Sequence, residues 1–169
     1  MKVTLKELSE YVGPKTEIEV CEKWLRLVGY NTKCVKEEAP PQNQVVEFIK
    51  KPLKRTQGER SLNDIYQELL SDYLQLWVGV NEEDGILGIC ITQLIIYPQY
   101  KVLAMPYIGT KPHTIHKWFD YGMSEDSPII KFARELGVKK LEGYARDGWL
   151  KFTPKYDFKK YTTVITREL

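Results

Sequence analysis

The apolar positions of this chain are densest between Leu76 and Gly109, where three runs are separated by turn signals. Leu76, Trp77, Val78, Gly79 and Val80 form the first. The polar stretch that follows ends in Asp84-Gly85, a pair that accepts positive φ and favours a hairpin. Ile86 to Tyr97 is the second run, and its β-branched content predicts a strand rather than a helix. Pro98 stops it, because proline cannot donate to a ladder. Tyr100 to Ile108 is the third strand, interrupted near its end by Pro106. A proline in that place sits at a bulge or where pairing stops, so the sheet is expected to open beside Pro106, Tyr107 and Gly109.

Helical spacing flanks these strands. Thr4 caps a short helix with Leu5 and Leu8 on its apolar face. Thr16 and Glu19 fit a capping box ahead of Ile18, Val20, Cys21, Trp24, Leu25 and Val28, and Gly29 fits the stop. The polar segment 33–44, with Pro40-Pro41, reads as a loop; Val45, Val46, Phe48 and Ile49 read as a short strand; Lys50 to Arg60 reads as a basic loop. Ser61 with Asp64 opens a helix that carries Leu62, Ile65, Tyr66, Leu69, Leu70 and Tyr73 at helical spacing. Beyond the strands, Pro112 suits the first turn of a helix bearing Ile115, Trp118 and Phe119 and ending at Gly122. Ser127-Pro128 opens another that closes at Gly137. Val138 to Tyr144 is a strand, a short helix follows around Trp149, and Tyr161 to Thr166 is a last strand. The order predicts one domain over 1–169, a mixed α/β fold whose mainly antiparallel central sheet is flanked by helices.

Composition narrows the class. With 169 residues, 43% apolar and 28% charged, the chain reads as one soluble globular domain. No apolar run approaches the roughly 20 residues of a membrane span, and the N-terminus lacks the apolar core of a signal peptide. A cytoplasmic location with no membrane partner is therefore expected. Cys21, Cys34 and Cys90 form no CxxC pair, which points to a reducing compartment without structural zinc. The net charge of +2 is small, yet basic residues outnumber acidic ones from Lys131 onward. That surface is either simply solvated or attracts a phosphorylated cofactor or nucleic acid. His113, His116 and Asp120, at i, i+3 and i+7 after Pro112, would share a helix face suited to a general base. Nothing nearby completes a metal site, and none is expected. Tyr144 and Tyr161, on strands, are candidate general acids, Glu142 is expected on the face opposite Tyr144, and the four tryptophans are expected in the core.

The C-terminal run LEGYARDGWLKFTPKYDFKKYTTVITREL resembles the ending of GNAT acyl-CoA acyltransferases: a strand, an Asn, a short A-x-x-F-Y-x-x-x-G-F helix and a final strand. Phe158 falls on the Phe of the Gly-Phe pair, with Asp157 in place of the Gly. Arg146 falls on the Asn, Trp149 on the Ala, and Thr153 on the Tyr that often serves as general acid. The ordered set Trp77-Val78-Gly79-Val80, Tyr97-Pro98, Ile108-Gly109, Ala133-Arg134 with Gly137, and Ala145-Arg146-Asp147-Gly148-Trp149 is similar to phage-encoded GNAT-like proteins. The resemblance covers the C-terminal part of the chain and implies a GNAT-like fold. In that fold the fourth strand splays from the fifth, and the pantetheine of acetyl-CoA or another acyl-CoA lies in the gap. Pro106, Tyr107, Ile108 and Gly109 would line it, and Arg146 and Trp149 are further cofactor-binding positions that the resemblance implies. The family's Q/R-x-x-G-x-G/A loop, whose backbone N–H groups cradle the pyrophosphate, corresponds to Gly109-Thr110-Lys111-Pro112-His113-Thr114. It holds one glycine, and Pro112 removes a donor; Thr110 and Lys111 remain as cofactor contacts.

What the resemblance implies is acyl transfer from an acyl-CoA to a small-molecule or protein amine. A backbone N–H near Ile108 would polarise the thioester, His113 or His116 would act as base, and Tyr144 or Tyr161 would protonate the thiolate. The altered loop and the missing tyrosine favour a second reading: a non-catalytic GNAT-like phage protein of the virion or its assembly. Its partners would be phage structural proteins, and its place the host cytoplasm or the particle. A third reading is a nucleobase-modifying enzyme that contacts nucleic acid through its basic segments.

Overall fold

The structure, a computed structural model, describes residues 44–56, 58–81 and 85–162. The two helices expected before residue 44, the loop between them and Val45, Trp24, Cys21 and Cys34 lie outside the described residues. So does most of the expected last strand, of which Tyr161 and Thr162 are described and belong to no element. The elements run α1 (Gln44–Leu53), α2 (Leu62–Leu70), β1 (Leu74–Asn81), β2 (Gly85–Ile96), β3 (Lys101–Thr110), α3 (Ile115–Gly122), α4 (Pro128–Glu135) and β4 (Val138–Gly143). Two short 3-10 helices follow, Asp147–Lys151 and Thr153–Tyr156.

The three consecutive apolar runs form the expected strands, and the sheet has the order β1-β2-β3-β4. β1, β2 and β3 pair antiparallel, and β4 returns parallel to β3. Gly85, after the Asp-Gly signal, has φ 67°. Side chains divide between two cores. Leu74, Ile89, Ile91 and Tyr107 face α1 and α2, while Cys90, Leu103 and Met105 face α3 and α4. This is a sheet covered by helices on both faces, the mixed α/β arrangement that the sequence predicts. Cys90 is fully buried among apolar neighbours, and burial alone pushes its thiol pKa far up, so it packs as a small apolar residue.

Val45, Val46, Phe48 and Ile49 correct one expectation: they form not a strand but the buried side of helix α1, each at most 4% exposed. Their β-branched character suggests a strand, yet the spacing i, i+1, i+3, i+4 also fits one helix face, and burial of that face decides the outcome. The helix carries Pro52 in its last turn. Proline has no N–H to return to the carbonyl four residues back, so the Phe48 oxygen is left without that bond. Gly109 of β3 stands against this oxygen: a Cβ at residue 109 would lie 2.0 Å from it. The close approach of α1 to the sheet thus requires glycine at that position.

Two helix starts match their signals. Ser61 accepts from the Asp64 N–H, and the Asp64 carboxylate accepts from the Ser61 N–H at 2.7 Å, a capping box at the head of α2. The Ser61 hydroxyl, which also donates to this carboxylate at 2.7 Å, and then the Ser61 N–H hold the Asp64 carboxyl below its ordinary pKa. Ser127 caps α4 with Pro128 just inside, and Gly137 at φ 67° follows its end. Tyr73 lies beyond α2 and is half exposed.

Candidate functional site

β3 and β4 pair from Lys101↔Val138 to Met105↔Gly143 and then part. At the same level β3 carries a bulge against β2, where the register moves between Ile91↔Tyr107 and Gln93↔Ala104. Met105 and Pro106 thus stand opposite Thr92 alone. Proline fits this place because a bulge and an open edge ask for no ladder donor. The bulge also swaps faces: Met105 looks toward α3, whereas Tyr107 and Gly109 look toward α1. The opening expected beside Pro106 is therefore present.

The backbone of the opening can be phased. Lys111 N–H donates to the Leu87 carbonyl at 2.8 Å, directly across the β2–β3 ladder. In an antiparallel pair such hydrogen-bonded positions alternate, so Tyr107 and Gly109 bond to β2. Ile108 and Thr110 turn their N–H and C=O groups to the other edge, where β4 has left. Unpaired backbone groups on a strand edge pair readily with another extended amide chain.

After β3 the chain makes a turn before α3. Pro112 is not in the first turn of the helix: Thr114 donates its N–H (3.3 Å) and hydroxyl (3.0 Å) to the Lys111 carbonyl, and the helix begins at Ile115. His113 is exposed in that turn at φ 64°, so His113, His116 and Asp120 do not share a helix face as expected. Of the loop's donors, Lys111 and Thr114 are used internally and Pro112 has none. The first N–H groups of α3 receive no side-chain cap from Thr114, so the helix end keeps donors for an anion beside Lys111.

On the α3 side the elements that leave the two parted strands meet again. Phe119 lies at the centre, 1% exposed, with Trp149, Phe152 and Tyr156 rings at 5.5, 5.4 and 5.3 Å. His116 sets its ring edge-on to Phe152 at 5.1 Å. Asp120 accepts from Lys155 Nζ and the Tyr156 hydroxyl, both at 2.7 Å, and these bonds hold its carboxyl below the usual range. Asp120 is thus engaged in joining α3 to the 3-10 segment. Thr153, where the resemblance places a tyrosine, is buried and donates to the Trp149 carbonyl.

On the α1/α2 side the opening is polar. Arg60, just before α2, places Nε 2.8 Å from Glu68 Oε2 and also hydrogen-bonds the Tyr107 side chain. Tyr144, the first residue after β4, is 62% exposed. Partial burial raises its phenol pKa, Glu142 and Tyr97 add to the rise, and Arg60 opposes it; solvent screens all of these effects. Glu142 is not set apart from Tyr144 as expected: its charge acts on the Tyr144 phenol.

The predicted site residues therefore divide. Pro106, Ile108, Thr110 and Tyr144 border the opening; Lys111 and His113 stand at its α3 end. Tyr107 and Gly109 face α1 and α2. Trp149 is half-buried against Phe119, and Arg146 is exposed at the head of the first 3-10 helix. Tyr161 lies away from the opening, 83% exposed, its ring 5.4 Å from Lys140 Nζ, which also sits over Tyr100 at the paired end of β3. Of the tryptophans described, Trp118 is buried, and Trp77 and Trp149 are half-buried against the same core. Arg60 and Glu68 also lie on the α1/α2 side of the opening, and no local signal in the sequence places them there. Arg60 and Tyr107 are far apart in the chain, and nothing in the sequence pairs them. Among the described residues no helix is long and apolar enough to cross a membrane.

No family model and no curated protein matches the sequence. Solved structures do share its arrangement. An acetyltransferase from Trypanosoma brucei superposes with a TM-score of 0.54 at 13% identity, over 78% of this chain and 97% of that one. Glucosamine-6-phosphate N-acetyltransferase from Arabidopsis thaliana gives 0.53 at 10% identity, over 78% and 95%. A transcriptional regulator from Bacillus halodurans gives 0.54 at 17% identity, over 79% and 97%. Identities this low speak to the fold and leave the activity to the site. The parallel β4 that parts from β3 at a bulge, with α3 starting beside the opening, gives this chain the fold of GNAT acetyltransferases.

Proposed function

We propose that this protein transfers an acyl group from an acyl-CoA, such as acetyl-CoA, to an amine. The observation that carries the reading is the opening after Met105 and Gly143, with the Ile108 N–H aimed into it. When bound, the acyl-CoA supplies the thioester. Ile108 and Thr110 would pair with the amide-bearing arm, and the Ile108 N–H would polarise the thioester carbonyl. The open N-terminus of α3 and Lys111 would hold the phosphates, charge replacing part of the lost glycine cradle. Holding both ends of the donor fixes its reacting carbon against the amine, which is the main gain of such a site.

Tyr144 suits the proton donor to the departing thiolate. It borders the opening, and the upward shift of its pKa keeps the phenol protonated at neutral pH. Tyr144→Phe is expected to lower kcat roughly 100-fold with little change in KM for acetyl-CoA. In the wild type, kcat is expected to fall only at alkaline pH, as the phenol ionises above its ordinary value of 10.0. Steady-state kinetics against pH checks both, and unchanged kcat in the variant removes Tyr144 from the reaction.

One observation favours a second reading, a non-catalytic protein of the same fold, as in the structural proteins of a phage particle. Pro112 and the internal bonds of Lys111 and Thr114 withdraw donors from the loop. On that reading the chain holds no acyl-CoA at all.

A further inference from the structure

Several exposed aromatic residues join into one strip. Tyr97 and Tyr100 close the β2–β3 hairpin: the Tyr97 N–H donates to the Tyr100 carbonyl at 2.9 Å, and the two rings lie 5.3 Å apart. Lys140 of β4 holds its Nζ 4.6 Å from the centre of the Tyr100 ring and 5.4 Å from that of Tyr161. This keeps an ammonium charge between two ring faces. At the other end, the Tyr97 phenol lies near enough to act on that of Tyr144. The strip therefore runs from the end of β4, across the hairpin, to the C-terminal segment. Tyr100 is half-buried and anchors it, while Tyr97, Tyr144 and Tyr161 are exposed. Rings gathered in this way on a surface mark a place of contact. Charge follows the rings. Lys159 and Lys160, both exposed, immediately precede Tyr161. Lys160 reaches Asp147 at 3.6 Å, a pair so exposed that solvent screens it. Glu142, half-buried, is the carboxylate that acts on the Tyr144 end, so the lysines outweigh it.

We propose that this strip binds single-stranded nucleic acid, its bases stacked on Tyr97, Tyr144 and Tyr161 and its phosphates beside Lys140, Lys159 and Lys160. Exposed ring faces interleaved with ammonium groups suit a chain that carries both flat bases and phosphates. Every base has such a face, so the contact is tolerant of sequence. A duplex keeps its base faces stacked inside and offers the strip its phosphates alone. An acidic peptide would meet the lysines and leave the rings unused. The inference goes beyond the acyl-transfer reading and does not depend on it. Tyr144 belongs to both, through its ring face here and its hydroxyl there.

The test is fluorescence anisotropy of the full chain with labelled oligothymidine and oligouridine of about twelve nucleotides, an abasic strand of equal length and a duplex. Micromolar binding of at least one of the two oligomers is expected at low salt, and the two arms tell DNA from RNA. Three lysines at phosphates give a slope of about −2 in log K against log salt. The abasic strand and the duplex should bind at least about tenfold more weakly. Tyr97→Ala and Tyr161→Ala should each raise Kd by about tenfold at unchanged salt slope, and Tyr97→Phe, which keeps the ring, should recover most of the affinity. Lys140→Gln should instead flatten the slope by about 0.7. The control Tyr121→Ala removes an exposed ring of α3 and should match wild type. No binding of either oligomer at about 100 times the expected micromolar range overturns the proposal. Equal affinity for the abasic strand, or an unchanged Kd in both alanine variants of the strip, shows attraction by charge alone and overturns it too. These results are independent of acetyl-CoA: a chain that binds oligomer but no acetyl-CoA keeps this inference and loses the acyl-transfer reading, and the reverse result does the opposite.

Discussion

Gly109→Ala is expected to destabilise the protein by at least about 3 kcal/mol. The added methyl would be placed 2.0 Å from the Phe48 carbonyl oxygen and 2.8 Å from its carbon. Both are backbone atoms, so no side-chain rotation relieves the clash. α1 is pinned in turn by Phe48 and Ile49, both in the core with Tyr107. Either α1 lifts from β3 and exposes that core, or β3 bends where it borders the opening. A loss of that size lowers the melting temperature by roughly 6–12 °C in a chain of this length. Thermal unfolding by circular dichroism measures it. A melting temperature within a degree of wild type would mean that α1 does not lie where it is described. The feature also separates structure from chemistry at one residue. Gly109 stands where the resemblance places a cofactor contact, and its direct role is to let a helix touch the sheet.

Phe119→Ala is the second large effect, expected at about 3–5 kcal/mol. Phe119 is 1% exposed and meets four aromatic rings of the C-terminal segment, Trp149, Phe152, Tyr156 and Phe158, at 5.3–6.4 Å. Each such pair contributes about 0.5–1.5 kcal/mol beyond burial, though pairs sharing one ring do not add in full. The truncation leaves a cavity where α3 and the 3-10 helices join, and the exposed Asp120 bonds to Lys155 and Tyr156, with the His116–Phe152 ring contact, remain to hold the segment. Near-UV circular dichroism should lose intensity together with thermal stability, because the Trp149 ring loses its fixed neighbour. A cost below about 1 kcal/mol would show that the two elements are not joined through this ring.

The parts of the fold legible in the sequence are those whose signal is local. Ser61 with Asp64, and Ser127-Pro128 with Gly137, mark helix ends through bonds made within a few residues, and these form as read. Pro106 announces the opening because a missing donor is a local fact with one structural consequence. α1 is not legible as a helix because four apolar residues in a short window fit a strand and a helix face alike, and contact with the sheet decides between them. The face shared by His113, His116 and Asp120 fails for a similar reason. Pro112 permits a helix start, but the Thr114 bonds to Lys111 close a turn first. The α1/α2 side of the opening is the least legible part. Arg60, Glu68, Tyr107 and Glu142 come from three separate elements and one loop, and their meeting depends on how the sheet parts.

Titration calorimetry of the purified protein with acetyl-CoA tests the proposed acyl-CoA site. One site of micromolar affinity is expected, because the β3 edge and the α3 N-terminus would hold the two ends of the ligand. At a concentration about 100 times the Kd, binding adds about 2.7 kcal/mol to stability, so a thermal shift accompanies the heat. No heat and no shift at millimolar acetyl-CoA would contradict it: the opening would then be a feature of the fold without its ligand, and the non-catalytic reading would stand.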